Sequence, residues 1–322
     1  MIKKGIQSDL YYRQRKRTWL SDLKMRFFKC WQLYVLFLLP LLYIIIFKYY
    51  PMYGAQIAFR DFRITDGITS SPWVGIKHFE RFFNSHDFLN LMKNTLGISI
   101  YSLVAGFPFP IILAIMLNYT RNAYFKKTVQ MVTYAPYFIS TVVMVSMVLQ
   151  FLSPRVGIIN VIREIMGLDR VNFMGVPEYF KSVYVWSGIW QGTGYGAIIY
   201  LAALSSIDPT LHEAAIVDGA NKFQRIWYID LPGIIPTAVI LLILSTGQIL
   251  NTGFEKILLM QNPMNTRTSE VIDTYVYKVG LASKTINYSY PTAVGLFKSV
   301  VNLFLIVVVN RIAKKTSDSS LW

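Results

Sequence analysis

Residues 94–120 read NTLGISIYSLVAGFPFPIILAIMLNYT, a run of 27 positions without one charged side chain. At a rise of about 1.5 Å per residue, a helix of this length crosses a hydrocarbon core about 30 Å thick. The run is continuously apolar and does not alternate with polar residues, which favours a helix over a membrane strand. Because an ionised side chain inside a bilayer is costly, a long uncharged run predicts a membrane span.

Five further runs of the same kind lie outward from this one. They occupy residues 30–47, 128–154, 182–207, 231–254 and 285–310, and Lys298 alone interrupts the last. The composition agrees, since 54% of the residues are hydrophobic and only 15% are charged. We therefore predict an all-α, polytopic membrane protein with six transmembrane helices, at approximately 30–47, 94–118, 128–152, 183–205, 232–254 and 291–312.

The basic residues predict the orientation of these spans. Residues 1–29 hold nine Lys and Arg against two Asp, which predicts a basic amino-terminal segment that stays in the cytoplasm. Six crossings return the tail, residues 316–322, to the same side. We expect a multi-pass membrane protein in contact with lipid, with both termini in the cytoplasm. The loop at 206–232 departs from the charge bias, with Lys222 and Arg225 against four acidic residues.

Several functional classes are excluded by the residue types available. The single Cys30 cannot close an intrachain disulfide, and three scattered histidines give no spacing for a metal site. The net charge of +15 comes from basic residues at the ends of spans, not from a stripe interleaved with aromatics, so we expect no nucleic-acid partner. No catalytic residues are predicted either, because acid, base and nucleophile groups do not converge.

The loop at 206–232 predicts a helix, a turn and a second helix. Asp208 is a suitable N-cap and Pro209 fits the first turn, so a short helix begins there. Leu211, Ala214 and Ala215 lie at i, i+3 and i+4 and form a narrow apolar face. Gly219 is expected to end this helix in the left-handed conformation. A second helix is predicted at about 222–230, before Pro232 begins the fifth span.

This loop resembles a known motif at all seven of its fixed positions. The order Glu213-Ala214-Ala215, three residues, Gly219, nine residues, Ile229, one residue, Leu231-Pro232 matches the EAA loop of permease subunits in binding-protein-dependent ATP-binding-cassette importers. Asp218 and Ala220 extend the match in the form usual for sugar importers. The resemblance covers roughly residues 30–315, and it implies the type I importer permease fold over that range.

The resemblance implies a division of labour between subunits. The elbow, called the coupling helix in this family, would lie in a groove of a separate ATPase, with Glu213 as polar anchor, Ala214 and Ala215 as the close-packed face and Gly219 as the turn. Four partners are implied: a second permease forming a heterodimer, two ATPase subunits and an extracellular binding protein. This chain would bind no cofactor, since ATP and Mg²⁺ belong to the ATPases. It contains no G-x-x-x-x-G-K-[ST] phosphate loop of its own.

Residues 71–83, SPWVGIKHFERFF, resemble an external stretch common after the first span of carbohydrate permeases. With Phe59-Arg60-Asp61-Phe62 they resemble the branch that handles oligosaccharides and polysaccharide fragments. The stretch is either an amphipathic helix that caps the bundle or a contact surface for the binding protein. A permease for a non-sugar solute remains an alternative.

Some polar and aromatic residues within the spans are candidates for the substrate pathway. Ser245, Gln248, Thr252 and Glu255 are spaced to form one polar stripe on the fifth span, which either lines the pathway or hydrogen-bonds neighbouring helices. Trp186 and Trp190 either stack on a sugar or belong to the interfacial aromatic belt. Lys298 either contributes to the pathway or extends towards the surface. A free-standing carrier or channel is disfavoured, because Lys298 is the only charged residue within the six runs.

Overall fold

The computed structural model describes residues 29–283 and 287–316. The predicted amino-terminal segment, apart from its last residue, and nearly all of the predicted tail lie outside this part of the chain. The described residues form helices and turns, with one isolated β-bridge between Arg60 and Trp73. The predicted all-α fold is therefore confirmed.

The chain divides into two compact units, Met1–Gln56 and Ile57–Trp322. The first unit holds α1 (Trp31–Ile44), which continues through a π-helical turn (Ile45–Tyr49) and α2 (Tyr50–Met52) into a 3₁₀ segment (Tyr53–Phe59) that crosses the boundary between the units. Together they make an apolar helix of 29 residues, whose side chains from Trp31 to Met52 are exposed. We expect this surface to contact lipid, because soluble proteins rarely expose so large an apolar area.

The second unit is built from helices of very different lengths. In chain order they are α3 (Gly67–Ser70), α4 (Lys77–Phe83), α5 (Phe88–Gly106), α6 (Pro108–Asn118), α7 (Ala123–Tyr134), α8 (Thr141–Phe151), α9 (Ile158–Ile165), α10 (Pro177–Ser205), α11 (Pro209–Val217), α12 (Lys222–Arg225), α13 (Leu231–Thr246), α14 (Phe254–Met260), α15 (Thr266–Ser269), α16 (Ile272–Gly280) and α17 (Ser289–Thr316). Short 3₁₀ and π-helical segments, Ala135–Phe138 and Ile226–Asp230, follow α7 and α12.

The apolar helices are compatible with the predicted six spans. Within the described residues, Trp31–Phe59, Phe88–Asn118, Lys222–Thr246 and Ser289–Lys315 are each long and apolar enough to cross a membrane. The bent pair formed by Ala123–Phe138 and Thr141–Phe151 is a fifth candidate. Helix α10 has 29 residues and so has the length for a sixth.

The predicted continuous helix at 128–152 is wrong in one respect. Helices α7 and α8 meet at an angle of 102° across a short break. Pro136 cannot donate a backbone hydrogen bond, and it lies in the 3₁₀ segment where the first helix ends. Ser140 then caps α8 by accepting a hydrogen bond from the Val143 amide at 3.4 Å. Pro136 and the Ser140 cap therefore interrupt the helix within a run that is uniformly apolar by hydropathy.

Helix α10 is the centre of the second unit and packs along α5, α6 and α7. Gly194 permits its closest approach to α7, since a Cβ built there would lie 2.0 Å from the carbonyl oxygen of Thr133. Towards its carboxyl end, α10 packs Ala197 and Tyr200 against Ala114 of α6 and Ile234 of α13. Close backbone approach through glycine and alanine is a general feature of membrane helix packing.

Helix α4, from the stretch at 71–83, packs onto α5, α16 and α17. Its Phe82 is 1% exposed and lies in a cluster with Leu91, Ile272 and Tyr290. The opposite face of the helix, including Lys77 and Glu80, is exposed. The stretch thus has the amphipathic packing that its sequence predicts, while contact with a binding protein stays a prediction.

Candidate functional site

The loop between α10 and α13 folds into the predicted elbow. The Asp208 carboxylate accepts a hydrogen bond of 2.9 Å from the Thr210 amide, and α11 begins at Pro209. The same hydrogen bond holds the pKa of Asp208 below its usual value. The cap therefore stays ionised at neutral pH, where it favourably meets the positive end of the helix dipole.

Gly219 ends α11 as predicted, in the left-handed conformation with φ +80°. The Gly219 amide donates to the Ile216 carbonyl at 3.1 Å, and the Ala220 amide donates to the Ala215 carbonyl at 2.8 Å. This pair of bonds is the Schellman arrangement that satisfies the last carbonyls of a helix. A Cβ at position 219 would meet no atom within 4 Å, so conformation and not space favours glycine here.

Asn221 begins the second helix of the elbow with a reciprocal capping box. Its side chain accepts from the Gln224 amide at 2.9 Å, and its own amide donates to the Gln224 side chain at 2.7 Å. Helix α12 then runs through the π-helical turn into α13, making one helical stretch of 25 residues from Lys222 to Thr246. Pro232 lies in the first turn of α13, where its missing N–H does little harm.

The elbow presents an apolar surface that nothing in the described chain covers. Leu211, Val217, Phe223, Trp227 and Tyr228 are all more than half exposed, and Val217 reaches 87%. Of the residues in the motif, Glu213, Ala214, Asp218, Gly219 and Pro232 are exposed, while Ala215, Ala220, Ile229 and Leu231 are half-buried. Several exposed aromatic and aliphatic side chains on one short loop are typical of a protein interface.

A buried carboxylate connects the elbow to the end of α6. Asp230 is fully buried, and its Oδ2 accepts a hydrogen bond of 2.7 Å from the Tyr119 hydroxyl. His212 of α11 places Nε2 3.4 Å from Oδ1, although that oxygen has no hydrogen-bond partner among the described residues. The Arg225 guanidinium lies 5.7 Å from the centre of the Tyr119 ring. This small network therefore joins α11, α12 and the start of α13 to α6.

The second feature is a cavity of about 660 Å³ beside α10. Residues of α5, α6, α10 and α13 line it, together with residues 248–253, which follow α13. Its wall is mainly apolar but carries the side chains of Ser99, Ser102, Ser245, Gln248 and Thr252. An apolar cavity with a few placed polar groups is the usual form of a ligand site.

The predicted polar stripe is brought together only in part. Ser245, Gln248 and Thr252 line the cavity, whereas Glu255 is exposed and is not part of its wall. The prediction of one continuous helix is wrong, because α13 ends at Thr246 and Gly253 adopts a positive φ of +64°. The chain leaves the helix between Thr246 and Gly253, so Gln248 and Thr252 line the cavity from non-helical backbone.

The other pathway candidates lie away from this cavity. Trp186 donates a hydrogen bond of 3.0 Å to the Tyr101 hydroxyl and packs edge-on against Phe109. Trp190 is half exposed and does not line the cavity. Lys298 of α17 forms an ion pair with Asp273 of α16. Any contact of these side chains with substrate stays a prediction.

A match to a known family covers residues 106–318, which include the elbow and most of the cavity. The family is described as the binding-protein-dependent transport system inner membrane component. The chain belongs to this family. It is therefore a permease subunit of a binding-protein-dependent transporter.

Relatives of this permease are similar over nearly its whole length. Protein LplB of Bacillus subtilis is 42% identical over 95% of this chain and 94% of its own. The polygalacturonan/rhamnogalacturonan transport system permease protein YteP of the same organism is 41% identical over 96% of this chain and 94% of its own.

Solved structures agree with these relatives. A chain from a bacterial ABC transporter involved in the import of the acidic polysaccharide alginate is 40% identical, with a TM-score of 0.83 over 91% of this permease and 99% of that chain. A second structure is of a bacterial alginate ABC transporter in complex with an alginate pentasaccharide-bound periplasmic protein. Its chain is 39% identical, with a TM-score of 0.84 over 92% of this permease and 99% of that chain. The permease therefore has the ABC importer fold.

Two features of the permease have no counterpart in the sequence predictions. The Tyr119–Asp230 contact joins residues 111 positions apart, so no local pattern announces it. Lys256 lies just beyond the run at 231–254 and carries no sequence prediction, yet its side chain lines a second cavity beside α10. Among the described residues, no group of three His, Cys, Asp or Glu side chains could hold a metal ion.

Proposed function

We propose that this permease forms half of the translocation pathway for an oligosaccharide and is driven by ATP hydrolysed on separate subunits. The observation that carries the proposal is the exposed elbow. Helix α11 ends at the left-handed Gly219, and the elbow exposes uncovered apolar side chains as well as the motif residue Glu213. Such a surface fits a partner subunit whose groove receives the elbow. An oligosaccharide substrate is supported by relatives named for polygalacturonan, rhamnogalacturonan and arabinooligosaccharide transport.

The elbow transmits movement because it is built as one rigid piece. Its two helices are capped at both starts, and Asp230 and Tyr119 tie its base to α6. A displacement imposed on Glu213, Ala214 and Ala215 by a closing ATPase pair would therefore move α6 and α13 together. Helices α6 and α13 both line the larger cavity, so its shape would follow the movement of the elbow.

The remaining assignments follow from this arrangement. Residues 30–315 form the permease domain, with the coupling loop at 206–232 in the cytoplasm together with both termini. The complex contains a second permease as heterodimer partner, two ATPases that bind ATP and Mg²⁺, and an extracellular binding protein. A periplasmic protein in the solved alginate transporter complex supports the last partner. The chain itself is a transport component of a bacterial cell membrane and not an enzyme.

The coupling assignment is tested by Glu213→Lys in the tagged permease, expressed in its native host. We expect copurification of the ATPase and uptake of oligosaccharide to fall together while the permease remains in the membrane. Asp169→Lys is the matched control, because Asp169 is also exposed and lies outside the elbow. Retention of both ATPase and uptake in the Glu213 variant contradicts the assignment, as does ATP-independent transport by this chain alone in vesicles.

A further inference from the structure

Lys256 is a cation on the wall of a cavity beside α10. The cavity is about 390 Å³ in volume and includes Gly188, Gln191, Gly192 and Thr193 in its lining. It adjoins the larger cavity, because Ser102, Gly106, Pro110 and Tyr184 line both. An ammonium group in this place can meet a solute that enters the smaller cavity.

Among the residues that the structure describes, the partners of the Lys256 ammonium group are neutral. Its Nζ donates a hydrogen bond of 2.8 Å to the Tyr184 carbonyl and lies 4.4 Å from the centre of the Tyr184 ring. A carbonyl and a ring face orient the group without neutralising its charge. Since a lysine carries three donor hydrogens and one is used here, two remain for a ligand.

No carboxylate in the described ranges forms an ion pair with Lys256. Asp273, which acts electrostatically on Tyr184, is paired with Lys298 instead. The neighbouring Glu255 is exposed and lies outside both cavity walls. An unneutralised charge inside a membrane protein is costly, and its usual reason is function.

A second, independent observation comes from Thr252. This residue is 4% exposed and lines the larger cavity, yet its hydroxyl has no hydrogen-bond partner among the described residues. The Tyr184 hydroxyl donates to the Thr252 carbonyl at 2.7 Å, so Thr252 contacts the same tyrosine as Lys256. A buried hydroxyl normally finds a partner, so this one leaves an unsatisfied polar group in a residue of the cavity wall.

The positive charge also continues along α10. Lys181 lies one turn before Tyr184, and its Nζ lies 2.9 Å from the position of a Cβ at Gly97 of α5. Lys93 of α5 acts electrostatically on Lys181, so these two cations lie near each other. Added positive charge on α5 and α10 would attract an anion and repel other cations.

We propose that Lys256 binds the carboxylate of a uronic-acid unit as an acidic oligosaccharide passes, while Thr252 hydrogen-bonds a sugar hydroxyl. This inference rests on the proposed function and makes it more specific, since a neutral sugar offers no group that would neutralise Lys256. A carboxylate accepts charge-assisted hydrogen bonds from an ammonium, which are about twice as strong as neutral ones. The site thus selects acidic chains over neutral chains of equal length.

The test compares uptake of oligogalacturonate with uptake of its carboxyl-reduced form by the assembled importer. Lys256→Gln should lower the ratio of acidic to neutral uptake about tenfold, which corresponds to one strong charged contact. Lys256→Arg should largely keep the ratio. Lys127→Gln is the matched control, because Lys127 is exposed on α7 and lies outside both cavity walls. An unchanged ratio in Lys256→Gln overturns the inference, and a wild-type importer that moves neither sugar overturns the proposed function as well.

Chemical rescue covers the case in which the Gln variant fails to assemble. The chain has a single cysteine, Cys30, so Lys256→Cys in a Cys30→Ser background carries one reactive thiol. Reaction with an aminoethyl methanethiosulfonate restores an ammonium, whereas the sulfonatoethyl reagent installs an anion. Recovery of acidic uptake with the first reagent alone supports the inference. Equal uptake after either reagent, or no protection of the thiol by oligogalacturonate, overturns it.

Discussion

The hydroxyl of Tyr119 donates a 2.7 Å hydrogen bond to the fully buried carboxylate of Asp230, and this contact ties the elbow to the end of α6. Burial, and then the hydrogen bond to Asp230, raise the pKa of Tyr119 well above its usual value. The phenol therefore stays protonated and remains a donor throughout the physiological pH range. The other oxygen of Asp230 lies 3.4 Å from His212 Nε2 but has no hydrogen-bond partner among the described residues, so Tyr119 supplies the hydrogen bond that the described structure gives this carboxylate.

Tyr119→Phe should destabilise the elbow without changing its surface. Removing the donor from a buried charged acceptor costs about 1–3 kcal/mol, so we expect a lower thermal midpoint for the purified importer. We also expect uptake per ATP hydrolysed to fall, because the elbow loses its attachment to α6. Tyr124→Phe is the control, since Tyr124 is 86% exposed. Equal midpoints and equal coupling in the two variants would show that the contact contributes nothing.

Gly219 gives a graded test of the elbow's turn. A side chain at φ +80° is strained by about 1–2 kcal/mol, although no atom lies within 4 Å of the Cβ position. Gly219→Asn should keep most uptake because asparagine tolerates this conformation, whereas Gly219→Val should lose most of it. Copurification of the ATPase should likewise be higher for the asparagine variant than for the valine variant. A valine variant that performs as well as the asparagine variant would show that the left-handed turn is dispensable.

Gly194 tests the contact at the centre of the fold. A Cβ would lie 2.0 Å from the Thr133 carbonyl oxygen, so Gly194→Ala must separate α10 from α7. We expect a loss of stability of about 1–3 kcal/mol, as for other overpacked sites, measured by thermal unfolding in detergent. Gly295→Ala on α17 is the matched control, since a Cβ there meets no atom within 4 Å. The contact is unimportant if both alanine variants unfold at the same temperature.

Charge spacing and capping chemistry predict much of this fold, because both are local. The uncharged runs mark helices α5 with α6, α10, α13 and α17, and Asp208, Pro209 and Gly219 give the bounds of α11. The failures have a common physical origin in backbone that departs from a helix inside an apolar run. Hydropathy does not distinguish the break after Thr246, where Gly247 packs against Ile306, from uninterrupted helix.

The candidate site was predicted less completely than the fold, because its important pairs are distant in sequence. Glu255 and Lys256 are adjacent at the end of an apolar run, and nothing in that pattern tells which one reaches a cavity. Only the tertiary structure, in which α14 packs against α8 and α16, places Lys256 against Tyr184 of α10 and leaves Glu255 exposed. Similarly, the partner of Lys298 lies 25 residues away on another helix.

The pairing of Lys298 with Asp273 predicts that the two charges matter together and not singly. Their side chains are only 16% and 19% exposed, so Asp273→Asn leaves an ammonium with little water and no carboxylate. We expect that single change to cost up to about 3 kcal/mol in stability, measured by thermal unfolding of the purified importer. The double variant Asp273→Asn with Lys298→Met removes both charges and should recover at least half of the loss. If the double variant unfolds as early as the single one, the ion pair does not explain the cost and a contact of Asp273 with another group does.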